Sequence, residues 1–415
     1  MLDGPMRRLS SRSRAAGALA CVALLTSACS APIEQGAESD VERGVRYDQS
    51  ERYRRDALVA SLENPDNGYA RLRLERYHPE QWEALPIWDP EVRVVSEADI
   101  GGAKPSAGFT ALEIEAVPWA EGPLLELGRR AFFEYPVQVM SFAALALTDS
   151  QAPAHYGLWS AEGRLGGLVW TALPGNAVSL AVTCASCHVA AIEHELLIGK
   201  NNAQLDIGLM TSDFRGDPPN RAWGPGRLDV TNDASDNPVA IPDLRPIRYQ
   251  SHLQRAATVK NDLIALAIRT ETLIITSLGE TARPPRKLAF ALALFLWRLP
   301  DAPLRVADES SARGAQLFEQ RCASCHQPPR YSGPPIALDR IGTDPLVGLS
   351  TERGTGAYRV PSLRDVGDRT PLFASGSVRD LAELLDPARA AVGHPFGLDL
   401  NSTERADLVR FLDTL

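Results

Sequence analysis

The pentapeptide Cys-Ala-Ser-Cys-His stands twice in this chain, at Cys184–His188 and at Cys322–His326. Two thiols three residues apart, followed at once by a histidine, are the attachment signature of c-type haem. Each thiol forms a thioether to a haem vinyl group, and the histidine is held under the iron as its proximal ligand. The signature therefore predicts that Cys184, Cys187, Cys322 and Cys325 bind a cofactor and that His188 and His326 bind its metal. With 6 Cys and 7 His in 415 residues, composition alone yields an accidental match in about one such chain in a thousand. The four cysteines are also the only ones beyond residue 29. A zinc site built from two Cys-x-x-Cys pairs usually spaces them by about 15–20 residues, and these lie much further apart. A thioredoxin-like pair wants a βαβ setting, and the flanks here read as helical. A disulfide across Cys-x-x-Cys would be strained and leaves the histidine unexplained. Two haems, and redox chemistry, are the expectation.

The first 29 residues read as an address. Arg7, Arg8, Arg12 and Arg14 make a basic start, and Ala15–Leu25 is an apolar run too short to span a bilayer as a permanent helix. Thr26-Ser27-Ala28-Cys29 resembles the lipobox of bacterial lipoproteins, with Thr26 where Leu is most common. The expectation is a signal peptide over 1–28, an acylated Cys29 and a polar, acidic tether over 29–43. An ordinary signal peptide cut near Ala28 is the alternative. Either reading puts the protein in the periplasm or cell envelope, and the first has it touch the membrane through a lipid anchor only. Removing 1–28 takes four of the 43 basic residues and one of the 52 acidic ones, which leaves a net charge of −12. That charge disfavours nucleic acid as a partner and leaves room for a small basic redox protein as electron donor. No later segment has about 18 uncharged apolar residues in a row, and Ala289–Trp297 reads as a buried helix.

Residues 44–110 carry aromatic and Pro-rich stretches around Trp82, Pro86, Trp88 and Pro90 and read as an extension wrapped on the first haem domain. Leu124–Phe133 has helical periodicity with one apolar face. A Gly-rich segment precedes Cys184, and Trp223-Gly-Pro-Gly-Arg227 is a loop by its breakers. Leu263–Leu278 and Pro285–Leu299 read as helices, Asp301–Asp308 as a linker, and Arg313–Phe318 as an amphipathic helix leading into Cys322. Ser402–Leu415 closes the chain as a helix capped by Ser402 or Thr403, with Glu404 in its first turn. Few alternating β patterns appear. The expected fold class is mainly α: two cytochrome c-like haem domains, 111–300 and 301–415, with an N-terminal extension over 44–110.

Several runs resemble the bacterial di-haem cytochrome c peroxidases and their MauG-like relatives. Leu127-Gly-Arg-Arg-Ala-Phe-Phe133 is similar to that family's LGxxLFxD helix. Tyr358-Arg-Val-Pro-Ser-Leu-Arg-Asp365, with Thr370–Ser377 and Leu381-Ala-Glu-Leu384, is similar to its VPTLRN…PYFHDGS…LEE run, and Asp407–Leu412 to its closing DLVAFL helix. The resemblance spans residues 124–415. It implies two covalent haem c groups, a calcium between the haem domains, and hydrogen peroxide reduced at the first haem with electrons relayed through the second.

The departures from that pattern select the candidates. The family's His in YFHDG is Ala374 here, and its Met after the LEE helix is missing, because the four Met are Met1, Met6, Met140 and Met210. His394, in Gly393-His-Pro-Phe-Gly397, stands just beyond the missing Met and is the candidate sixth ligand of the second haem. Tyr358 and Tyr331 are weaker candidates, since a phenolate also binds haem iron. At the first haem the family uses a Glu to move a proton, about twenty residues after a WDGR-like segment. His252-Leu-Gln-Arg255 matches that segment loosely and Glu271 falls at that distance, among Ile268, Leu273, Ile274 and Ile275. Glu271 is thus the catalytic candidate, with His252 next; the bland alternative is a Glu on the polar face of an amphipathic helix, paired with Arg269 or another base. His252 stands in place of the family's inter-haem Trp, and Trp223 is an alternative bridge. Met210 or His194 closing the first haem would make the protein an electron carrier. Arg227 is the candidate to grip a haem propionate, because a guanidinium meets a carboxylate with two parallel hydrogen bonds.

Three functions are therefore in play. The first is an exported di-haem peroxidase-type oxidoreductase. The second is a MauG-like enzyme acting on a side chain of a partner protein. The third is a non-enzymatic carrier in which both irons have two protein ligands.

Overall fold

Two glycines set how the principal helices meet. The computed structural model describes residues 38–415 except 174–176, 193–194, 217–218, 230, 232–235 and 302–304. A Cβ on Gly128, in helix Glu121–Glu134, would sit 2.1 Å from Ala291 O, and one on Gly314, in helix Glu309–Arg321, 2.0 Å from Asp407 O. Only a residue without a Cβ lets backbones approach that closely. The partners are helices Arg286–Trp297 and Ser402–Leu412. Four residues after each glycine a phenylalanine meets a phenylalanine of the partner helix, Phe132 on Phe295 at 5.6 Å and Phe318 on Phe411 at 5.2 Å between ring centroids. One device thus builds two helix pairs, one in each half of the chain. The last helix is capped by Asn401 rather than by Ser402 or Thr403. Its side chain accepts from Glu404 N at 3.0 Å while Glu404 accepts from Asn401 N at 2.8 Å.

The N-terminal extension is part of the core. Helix Asp40–Gln49, capped by Ser39 and Glu42, begins inside the stretch expected as a tether. Tyr47, Leu58, Tyr69, Tyr77 and Trp82 share one hydrophobic core with Phe132, Leu263–Ile268 and Phe290. The sequence reading missed a four-stranded antiparallel sheet, in the order Val92–Val94, Leu168–Ala172, Val178–Val182, Gln138–Val139. Leu168 to Thr171 are buried at every position. The alternation that betrays a half-exposed strand is therefore absent. Three of its four strands lie between the Glu121–Glu134 helix and Cys184, an insertion that the short step from Gly314 to Cys322 lacks. Among the described residues helix still exceeds strand, 41% against 14%, so the mainly α reading stands.

Ser39–Leu415 is one compact unit. Backbone bonds tie its halves together, among them Tyr69 N to Glu352 O at 2.7 Å, Ala240 N to Ala374 O at 2.9 Å and Arg359 N to Arg255 O at 3.0 Å. Among the described residues no helix is long and apolar enough to cross a membrane. The expected signal peptide, Cys29 and His194 lie outside the described residues.

Candidate functional site

Cys184–His188 is one short helical turn and Cys322–Cys325 a turn following a helix, and in both the two thiols stand three residues apart, close to one turn. None of the four cysteines is in a disulfide. Burial pushes the Cys184 thiol up to about 12, and those of Cys187 and Cys322 up to about 11. These are protonated, poorly nucleophilic thiols, unlike the thiolates of a thioredoxin-type pair. The histidines are held alike. His188 Nδ1 lies 3.0 Å from Pro242 O, and His326 Nδ1 lies 3.1 Å from Pro361 O and 3.2 Å from Tyr331 O. A carbonyl oxygen only accepts, so Nδ1 carries the proton and Nε2 keeps its lone pair for a metal. Burial pushes both imidazoles down to about 4, which keeps them neutral at neutral pH, as a ligand must be. Pro242 stands in Ile241-Pro-Asp-Leu-Arg245 and Pro361 in Val360-Pro-Ser-Leu-Arg364. The same pentapeptide pattern orients both histidines, and its first copy escaped the sequence reading.

The second centre opens onto a cavity lined by Cys322, Cys325, His326 and His394. The loop presenting His394 is pinned. Gly393 has φ +92°, and a Cβ there would sit 2.4 Å from Thr343 N. His394 itself has φ 47° and donates its N–H to Ile341 O at 2.6 Å. Arg389 donates to the carbonyls of Leu384, Gly393 and His394. The His394 imidazole is pushed down to about 4, by burial first and then by His326 and Arg389. Its Nδ1 is buried with no hydrogen-bond partner. An orphaned buried nitrogen facing a cavity with two thiols and an oriented histidine fits a haem whose iron takes a second imidazole. Tyr358 also lines the cavity, but its hydroxyl donates to Asp344 O at 2.6 Å and accepts from Gly348 N at 3.3 Å. Tyr331 stacks on Phe318 at 5.6 Å and gives its carbonyl to His326.

At the first centre, Met210 is buried in the apolar cluster on which Cys187 packs, together with Leu180, Leu205 and Ile241. The other expected residues stand apart from the cavity. Glu271 is wholly buried and accepts from Tyr47 Oη at 2.6 Å, Tyr77 Oη at 2.5 Å and Arg286 Nε at 3.2 Å. Its ionic partner is another base than Arg269, namely Arg286, its helix face is buried rather than polar, and none of the three belongs to a haem motif. His252 sits with Nδ1 3.2 Å from Ser251 Oγ and Nε2 3.4 Å from Glu63 Oε2, and burial lowers its pKa against the pull of Glu63. Trp223 Nε1 donates to Asp236 at 2.7 Å. Arg227 gives its guanidinium to the carbonyls of Ser375 at 2.8 Å, Gly376 at 2.7 Å and Trp223 at 3.1 Å. It clasps the two halves together. No group of three or more His, Cys, Asp or Glu among the described residues could hold a metal ion such as the expected calcium.

Residues 311–415 match the cytochrome c family. Over 264 residues the chain is 27% identical to the methylamine utilization protein MauG of Methylorubrum extorquens, across 56% of this chain and 72% of that protein. Solved structures similar to it include the hydrazine synthase of Kuenenia stuttgartiensis, with 16% identity, TM-score 0.38, and 80% of this chain and 97% of that chain covered. A MauG-like protein associated with microbial copper homeostasis has 16% identity, TM-score 0.40, and coverage of 80% and 94%. The chain therefore carries a cytochrome c domain in its second half. The resemblance read from its motifs is borne out as a similarity to MauG, with a cytochrome c match over 311–415.

Proposed function

We propose that this chain is an exported di-haem c oxidoreductase that reduces hydrogen peroxide at the Cys184–His188 centre, with electrons relayed through the Cys322–His326 centre. One observation carries the reading. Both motif histidines are oriented by a proline carbonyl in a repeated Ile/Val-Pro-x-Leu-Arg segment, which leaves both Nε2 atoms free. The twofold Gly–Phe helix packing supports it. Bound haem c supplies a redox-active iron at each centre. The four thiols would anchor the two groups, with His188 and His326 as ligands to their irons. His394 would be a second ligand at the second centre, which would hold and pass electrons. The bonds that tie Glu271 to Tyr47, Tyr77 and Arg286 support a packing role for it. His252, neutral and beside Glu63, is then the candidate to move a proton at the first centre. A calcium at the join would use amide and carbonyl oxygens. Asn201 Oδ1 is buried and unpartnered there, and its Nδ2 lies 2.7 Å from Thr370 O. A basic redox protein suits an acidic chain as electron donor, and acylation of Cys29 would hold the protein at a membrane.

The relation to the methylamine utilization protein supports a second reading, in which the same centres oxidise a side chain of a partner protein. Rapid mixing of reduced holoprotein with hydrogen peroxide tests both against the carrier. Fast oxidation of both haems, with turnover on adding a small donor, is the expected outcome. Fast oxidation without turnover on any small donor favours the partner-protein reading, and inert haems favour the carrier.

A further inference from the structure

The second cavity contains a concentration of positive charge, and the one carboxylate among the described residues of its lining, Asp243, is paired with Arg245. Arg255, Arg359 and Arg369 all line it. Of the buried arginines elsewhere, Arg54 has Glu83 at 2.6 Å, Arg245 has Asp243 at 2.5 Å and Arg286 has Glu83 at 2.6 Å, while Arg73, lying over the Tyr69 ring, has none among the described residues. Asp243, Asp365 and Asp368 pull on Arg369 against its burial, but among the described residues no carboxylate acts on Arg255 or Arg359. Arg255 reaches only the carbonyls of Ala240 at 2.7 Å and Phe373 at 3.1 Å, and Arg369 those of Arg364 at 2.6 Å and Ser362 at 3.0 Å. Arg359 has His252 O at 3.5 Å, and Arg369 Nε is buried with no partner. Burial, and then the three guanidiniums acting on one another, push Arg255 down to about 10 and Arg359 down to about 9. Holding three like charges side by side on a half-buried wall is unfavourable unless anions arrive to pair with them. The anion must carry about two negative charges and enter a cavity that already holds two thiols and two imidazoles.

We propose that Arg255, Arg359 and Arg369 form the anion-binding wall of the second centre and hold the two propionate carboxylates of its haem. This rests on the di-haem reading and goes beyond it in two ways. Arg255 lies outside the cytochrome c match at 311–415, so the cavity of that domain is completed by the other half of the chain. Arg255 and Arg359, with no carboxylate among the described residues acting on them, also place positive charge beside the haem, which favours its ferrous form. The role expected of Arg227 passes to these three.

The test uses the full-length holoprotein. Arg359→Gln comes first, because its one weak carbonyl contact makes it the least needed for packing. Arg255→Gln, Arg359→Lys and Arg255→Lys accompany it. Haem per chain is counted by pyridine haemochrome, and each haem is titrated optically against potential. The expected result is two haems per chain in every variant. In the Gln variants the second haem's ferric form is favoured by about tenfold, or 59 mV for one electron. The Lys variants return towards wild type, which a purely structural role would not produce. Unchanged potentials in both Gln variants, or a shift confined to the first haem, overturn the assignment. Fewer than two haems in the wild type sinks the di-haem reading instead, a separate failure.

Discussion

Replacing Glu271 by Gln keeps the shape of a side chain at the centre of a buried network and removes its charge. Two phenols donate to Oε2, from Tyr47 at 2.6 Å and Tyr77 at 2.5 Å, and Arg286 donates to Oε1 at 3.2 Å. An amide can offer its one oxygen to both phenols, but its NH₂ then faces the guanidinium, and two donors meet with no acceptor between them. A hydrogen bond to a charged group contributes about 1.5–3 kcal/mol. A broken buried ion pair costs about 3–5 kcal/mol. Arg286 keeps Glu83 at 2.6 Å, which lowers the cost below that upper range. We expect Glu271→Gln to destabilise the protein by about 2–4 kcal/mol. It should appear as a lower urea midpoint at unchanged slope, followed by circular dichroism. Peroxide oxidation of the haems in native buffer should stay within a few-fold of wild type. A variant as stable as wild type but slowed by about 10²–10⁴-fold, the range for a lost general acid or base, would refute this and return Glu271 to the chemistry.

Other outcomes follow from the same geometry. Intact mass should show two haems c per chain, and Cys322→Ala with Cys325→Ala should leave one; a wild type with one haem contradicts the reading. His394→Ala should turn one low-spin haem high-spin in optical and EPR spectra while both haems stay attached, and an unchanged low-spin signal removes His394 from the site. Gly393→Ala puts a Cβ against Thr343 N in a left-handed conformation and should cost about 1–2 kcal/mol or more, with partial loss of the same low-spin signal. Asp368 gives an acid limb to stability. Burial raises its carboxyl, but the bonds from Arg245 and Lys200 win and hold it at about 2, below the ordinary 3.8. A depressed folded pKa means its contribution is present above about pH 4 and lost as pH falls towards 2. Asp368→Asn should flatten that part of a plot of urea midpoint against pH, and an identical drop in the variant would exclude the assignment.

The haem motifs were legible because their chemistry is local: two thiols and an imidazole within five residues. His394 was reached by elimination, since no Met follows His326. Half of the helix pairing was legible too. The run Ala291-Leu-Ala-Leu-Phe-Leu296 shares Leu-x-x-Phe-Leu with Asp407-Leu-Val-Arg-Phe-Leu412, as Ile241–Arg245 shares Pro-x-Leu-Arg with Val360–Arg364. Both repeats were there to be found by comparing the halves. The sheet was not, because strands buried on both faces lose their alternation. Nor were the partners of Glu271, since Tyr47 and Tyr77 lie 224 and 194 residues away in the chain. The arginine wall draws one residue from one half and two from the other, and no local pattern marks such a set.

The central claim is one open and one closed haem on a single chain, and low-temperature EPR of the ferric holoprotein tests it most directly. The account predicts high-spin and low-spin signals of equal spin count, the high-spin one from the Cys184–His188 centre. Two low-spin signals, with the first haem closed by Met210, would contradict it and leave an electron carrier.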